Sequence, residues 1–224
     1  MGKRIWPLAV LLTLLSAEPL TGQAASLDFV PFVGVMVPTS DLARTSFVTS
    51  PGDTTRLAIR QNISVQMGAR LVAWWSKSVG WEANFAYTLG SAKAEAGGSD
   101  LCEQSDAKCG ANVWYISSKI MFRYAPEEYT GWSLFGGVGL AVAGHVGDFW
   151  EASQAQTDLG GVLNVGGSYD LSKRFAIRVD LEDYIYQFKA TIENDPLLGT
   201  VQASSKWQND LVLSAGLVIR LSGV

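Results

Sequence analysis

The feature that most constrains this chain is a two-residue alternation of apolar and polar side chains, repeated in segment after segment. Ile63, Val65, Met67, Ala69 and Leu71 interleave with Asn62, Ser64, Gln66, Gly68 and Arg70. Trp81, Ala83, Phe85 and Tyr87 oppose Glu82, Asn84, Ala86 and Thr88. Ile177, Val179, Leu181 and Ile185 oppose Arg178, Asp180, Glu182 and Tyr184, and Leu211, Leu213, Ala215, Leu217 and Ile219 oppose Asp210, Ser214, Gly216 and Arg220. A period of two places each set on one face of a β-strand. Helical periodicity is found over no useful length.

Eight such segments are predicted, over 28–37, 58–75, 79–92, 111–124, 132–146, 157–170, 174–190 and 206–221. Hydrophobic residues make up 48% of the chain and charged residues 17%, below the ~25% charge of an ordinary soluble domain. Yet no stretch past the N-terminal leader approaches the ~18 apolar residues of a membrane-crossing helix. Apolar content dispersed at period two is what a membrane barrel requires. The connections alternate in length. Ser76-Lys77-Ser78, the turn at Pro126-Glu127-Glu128 and Leu171-Ser172-Lys173 are short, 147–156 is intermediate, and 38–57, 93–110 and 191–205 are long. Short turns at one end and long loops at the other mark an outer-membrane barrel with periplasmic turns. The expected fold is all-β, an eight-stranded antiparallel up-and-down transmembrane β-barrel.

Residues 1–24 read as a secretory signal peptide, leaving a barrel domain over 25–224. Lys3 and Arg4 form its positive start, Ile5 to Leu15 its apolar run, and Gly22 and Ala24 its small cleavage-site residues. The net charge is −4 with no basic block, so nucleic acid is disfavoured as a partner. Cys102 and Cys109 are the only cysteines, and an oxidising compartment lets them pair as a structural disulfide. A metal or redox pair is the alternative, weakened by the lack of a nearby His and of C-x-x-C spacing.

A soluble barrel also alternates, so the inside face needs its own argument. The polar face carries charges of both signs near mid-strand. An eight-stranded barrel is only just wide enough for side chains, and the small residues Gly68, Gly137, Gly139, Ala141, Gly160, Gly166 and Gly216 on that face make room for larger ones. Trp75 and Trp81 flank the first short turn, Tyr124 and Trp132 the second, and Tyr169 and Phe175 the third. These six read as an aromatic girdle at the periplasmic interface, with the apolar face on lipid. The inward charges are Arg70, Lys119, Arg123, Arg178 and Arg220 against Glu82, Asp180, Glu182 and Asp210. Near-balance predicts a paired network filling the lumen, because an unpaired buried ion is costly.

The opening Pro31-Phe32-Val33-Gly34-Val35-Met36-Val37-Pro38 and the closing stretch from Leu211 to Leu221 resemble the small outer-membrane β-barrel proteins, the group of the OmpA membrane domain, the opacity-type proteins and OmpX. The resemblance covers the whole mature chain. It implies residence in the bacterial outer membrane, contact with its lipid and lipopolysaccharide, and insertion by the barrel-assembly machinery. Members usually end in an aromatic residue, whereas this chain ends Ser222-Gly223-Val224.

No enzymatic constellation stands out. His145 is the only histidine, and residue 147, where lipid A deacylases of this architecture carry Ser, is Gly. The run Gly136-Gly137-Val138-Gly139 lacks the following helix of a phosphate loop. No cofactor and no metal site are expected. The function expected is that of a structural or surface-interaction protein, a filled barrel presenting four outward loops to a surface ligand. The alternative is uptake of small apolar solutes in the manner of OmpW-like barrels, supported by the inward Tyr184, Tyr186 and Phe188.

Overall fold

The structure is a computed structural model that describes residues 26–41, 43–50, 53–96, 99–100, 110–126, 131–152, 157–188, 191–195, 199–202 and 206–222. The expected leader and both cysteines, Cys102 and Cys109, lie outside the described residues.

Alternation becomes strand throughout. In chain order the strands are β1 (Ser26–Pro38), β2 (Ala43–Ser50), β3 (Asp53–Gln61), β4 (Ser64–Trp74), β5 (Val79–Leu89), β6 (Ala92–Ala96), β7 (Ser99–Asp100), β8 (Asn112–Tyr124), β9 (Trp132–Val146), β10 (Asp158–Asp170), β11 (Phe175–Phe188), β12 (Thr191–Asp195), β13 (Gly199–Gln202) and β14 (Lys206–Ser222). Eight of them close a barrel in the order β1-β14-β11-β10-β9-β8-β5-β4, and β4 returns to β1 in an antiparallel pair running from Ser26↔Trp74 to Met36↔Ser64. Closure matters because lipid offers no hydrogen-bond partner to an open edge.

The face assignment follows the alternation. Val33, Val65, Phe85, Leu140, Leu163 and Leu213 are exposed on the outer wall, while Gln66, Arg70, Glu82, Lys119, Asp180 and Glu182 are buried in the lumen. That is the inverse of a soluble barrel and places the apolar face on lipid.

Small inward residues seat large ones in a repeated way. A Cβ on Gly68 would meet the Phe32 ring at 2.6 Å, and the Arg70 guanidinium lies 3.8 Å over that ring. A Cβ on Gly166 would meet Phe135 at 2.5 Å, and Arg178 lies 4.2 Å over Phe135. A Cβ on Gly80 would meet Trp74 at 2.6 Å, and Arg123 lies 4.1 Å over Trp74. In each case a glycine on one strand admits an aromatic ring, and the ring face carries a cation.

Two short turns share one device. Ser76 Oγ accepts the Val79 N–H at 2.9 Å, and Ser172 Oγ accepts the Phe175 N–H at 3.1 Å. A local serine acceptor tightens each hairpin without extra residues.

The expected segments differ from the observed strands at the long-loop end. The segment 58–75 is two strands, β3 ending at Gln61 and β4 starting at Ser64. The stretches 38–57 and 93–110 are not simple loops. They contribute to a separate four-stranded sheet ordered β2-β3-β6-β7, and 191–205 holds the hairpin β12-β13. The connection 147–156 contains a short helix, α1 (Asp148–Ala152). Pro51-Gly52, Gly97-Gly98 and Pro196 interrupt the alternation in these stretches, and antiparallel backbone pairing extends the hairpins outward.

Candidate functional site

The lumen has three levels. At mid-barrel, Arg70 on β4, Glu82 on β5, Lys119 on β8 and Arg178, Asp180 and Glu182 on β11 share one cross-section. The Arg70 Nη2 donates to Glu182 Oε2 at 2.8 Å and to Ser214 Oγ at 2.9 Å, and its Nη1 lies 3.3 Å from Asp180 Oδ2. Lys119 Nζ pairs with Glu82 Oε1 at 2.7 Å and also with Glu182. Arg178 Nη2 reaches both Glu82 Oε2 and Asp180 Oδ1 at 2.7 Å. Asn164 Nδ2 donates to Asp180 Oδ1 at 3.0 Å. Three cations and three carboxylates interlock, five of the six side chains 0% exposed. Such a cluster tolerates burial because each ion meets at least two of opposite sign.

Three of the nine inward charges lie elsewhere. Asp210 sits toward the long-loop end, where its Oδ2 accepts Tyr115 OH at 2.6 Å and Tyr186 OH at 2.7 Å. Arg123 and Arg220 lie at the short-turn end. Arg123 Nε donates to the Lys77 carbonyl at 2.9 Å, and Arg220 pairs with Asp170 and donates to the Lys173 carbonyl at 3.1 Å. The single nine-member network is therefore six charges plus two separate groups, because a shared inward face does not mean a shared depth.

Outward of the charge cluster the lumen is largely apolar, around the buried Asp210, Gln66 and Gln208. Val113, Tyr115, Val162, Tyr184, Tyr186 and Phe188 pack in one buried cluster with Met36 and Trp150. Trp150 comes from α1, which the sequence did not reveal. The chain folds back at Gly147, whose φ of +127° favours glycine. The indole then reaches into the barrel mouth, 1% exposed, with its ring centroid 4.6 Å from His145 and 5.7 Å from Phe188. The His145 Nδ1 lies 3.8 Å from Asp158 Oδ2. Chain position alone gave no reason to put Trp150 inside. The only cue was Gly147 ahead of an aromatic pair.

The six aromatics expected to form a girdle lie at the short-turn end. Trp75, Tyr124, Trp132, Tyr169 and Phe175 are exposed on the wall, and Tyr124 and Trp132 are neighbours at 6.3 Å between centroids. Trp81 is half-buried and its indole N–H donates to Ser118 Oγ at 2.8 Å. Two inward residues at this end escaped notice in the sequence. Trp74 Nε1 donates to Asp28 Oδ2 at 3.1 Å, and both side chains are buried. Among the described residues no cluster of His, Cys, Asp or Glu has the arrangement of a metal site.

Known proteins agree with this architecture. OprG from Pseudomonas aeruginosa superposes with a TM-score of 0.64 at 12% identity, over 89% of this chain and 98% of that one. The outer membrane protein AlkL superposes with a TM-score of 0.53 at 13% identity, over 99% of this chain and 97% of the other. At such identities the likeness speaks for the fold alone. No curated protein sequence matches the chain. A family profile described as outer membrane protein beta-barrel domain matches residues 8–216. The closed eight-stranded wall, its apolar outer face and that match together make this chain a member of the outer-membrane β-barrel domain family, resident in the bacterial outer membrane.

Proposed function

We propose that the protein is a membrane-anchored surface-interaction protein, with a barrel that is a filled support and with binding through the elements beyond the long-loop rim. The observation that carries this reading is the mid-lumen cluster. Arg70, Glu82, Lys119 and Glu182 meet across the barrel from four strands and block the path with paired charge. Beyond the rim, β2-β3-β6-β7 and β12-β13 supply two small sheets. Residues 1–24 act in this reading as the export signal, 25–224 as the barrel domain, and Cys102–Cys109 as a brace within an outward segment. The barrel has no catalytic role in it. Lipopolysaccharide surrounds it, and the barrel-assembly machinery inserts it. Single-channel recording on purified protein in planar bilayers tests the filled-support reading. No stable conductance is expected, and a large steady conductance would overturn it.

A second reading, uptake of small apolar solutes from the outer face, is favoured by the buried apolar cluster under Trp150. Saturable binding of an apolar fluorescent probe, abolished by Val162→Phe within that cluster, would support uptake over surface binding.

A further inference from the structure

The lipid-facing side of the wall is broken by one charge. Among the described residues of the eight wall strands, Asp183 is the only Asp, Glu, Lys or Arg that points outward. It continues the outward row Ile177, Val179 and Leu181 on β11, while its neighbours Glu182 and Tyr184 are buried in the lumen. A charged group on a membrane wall is costly and rare, so its position calls for a partner.

The protein supplies little of one. The hydrogen-bond partner of Asp183 among the described residues is Asn209 on β14, whose Nδ2 lies 3.3 Å from Oδ1 and 3.2 Å from Oδ2. Asn209 pairs with Ile185, which makes it the diagonal neighbour of Asp183 on the same outer face. One long, shared amide contact leaves most of the acceptor capacity of a carboxylate unused.

Depth narrows what can fill it. Asp183 lies eight residues along β11 from Phe175 at the short-turn end. At ~3.3 Å per residue and a tilt of ~40°, that is about 20 Å up an apolar band about 25 Å tall. The exposed Trp207 stands two residues beyond Asn209 on β14, as an aromatic at the outer interface would. Asp183 therefore faces the level at which acyl chains join their headgroup in the outer leaflet. A glycerophospholipid has only ester oxygens there, which accept and cannot donate. Lipopolysaccharide has donors there, the N–H of amide-linked chains and the hydroxyl of 3-hydroxyacyl chains. Next to Asp183 the wall is also recessed. Gly161 pairs with Ile185 and faces outward, and a Cβ on it would find only the Gly139 carbonyl, at 3.7 Å.

We propose that Asp183 and Asn209 form a wall site for one lipopolysaccharide molecule. Asp183 accepts the amide N–H and 3-hydroxyl at the head of an acyl chain, and the chain lies over the recess at Gly161. The site rests on the long-loop end facing outward and is independent of whether the lumen conducts.

The test uses the mature chain folded in detergent micelles, with native mass spectrometry to count bound lipid and monophosphoryl hexa-acyl lipid A as the probe. The parent is expected to retain one lipid A saturably. Asp183→Leu, which completes the apolar wall, is expected to bind it at least about tenfold more weakly, the loss of a charge-assisted hydrogen bond. Asp183→Asn keeps the shape and an acceptor and is expected to lose less. Phosphatidylethanolamine, whose donors lie only in its headgroup, is expected to bind parent and Asp183→Leu alike. Heat-modified gel mobility shows that each variant is folded, and Asp183→Asn keeps the test decisive where Asp183→Leu fails to fold. Three results would overturn the proposal. The first is equal binding of lipid A by the parent and the folded variants. The second is loss of parent binding in EDTA, which would make the partner a bridging cation. The third is a parent dimer that Asp183→Leu abolishes, which would make it a second copy of the chain.

Discussion

At mid-barrel, six charged side chains from four strands interlock across the lumen, while the outer half of the same tube is packed with tyrosine, phenylalanine, valine and the indole of Trp150. Both halves exclude water, but they resist opening differently. Parting the charge cluster strands ions in a space of low dielectric, and each stranded ion costs several kcal/mol. Parting the outer half loses mainly area and dispersion, which an apolar guest can restore, together with the hydroxyl contacts of Tyr115 and Tyr186 on Asp210. The middle of the barrel is therefore its lock. The outer half is the part able to exchange its own side chain for another molecule.

The largest effect expected is at the lock. Glu182→Gln removes the carboxylate shared by Arg70 and Lys119 and should lower unfolding stability by about 3–5 kcal/mol. Urea titration in lipid vesicles, followed by tryptophan fluorescence, reads it. A loss under ~1 kcal/mol would mean that the cluster is no tighter than a surface pair. In the apolar half, Trp150→Ala should cost about 3 kcal/mol by leaving a cavity. It should also admit an apolar dye that the parent barrel excludes. A cost without dye binding would show that the space left by the indole collapses, which removes the contrast between the halves.

Gly166→Ala probes the junction between levels. Its Cβ would press on Phe135 at 2.5 Å and on the Val179 carbonyl at 2.5 Å. The ring that stacks on Arg178 must then move, at about 2 kcal/mol by overpacking. Tyr186→Phe removes one of the two hydroxyls on Asp210, and the same titration should show a loss of about 1.5 kcal/mol. Arg220→Gln breaks a pair at the open rim, and less than ~1 kcal/mol is expected. If the rim variant cost as much as Glu182→Gln, burial depth would not be what separates the levels.

Much of the wall was legible beforehand. The segment 132–146 is β9 to the residue, and 206–221 falls one residue short of β14. Alternation is local, and lipid demands that one face be apolar, so parity along the chain fixed which residues point inward. The outward sheets were not legible. The β2 sequence Ala43-Arg44-Thr45-Ser46-Phe47-Val48-Thr49-Ser50 has no apolar face for lipid to select, and Pro51-Gly52 after it reads as loop. Depth was not legible either. Arg70 and Arg220 share the inward face, yet one sits in the cluster and the other reaches Asp170 and the carbonyls of the Leu171-Ser172-Lys173 turn.

By itself the sequence determined the class of fold, the membrane that hosts it and the face of each strand. Those follow from a two-residue period and from the solvent outside the wall. Only the tertiary structure decided which inward residues meet. The level of a side chain depends on the stagger of its strand against both neighbours, and that stagger is settled around the whole closed ring. Six charges became a cluster, Asp210 joined two tyrosines, Trp150 entered from above, and Asp28 and Arg123 came to share one indole through that collective register.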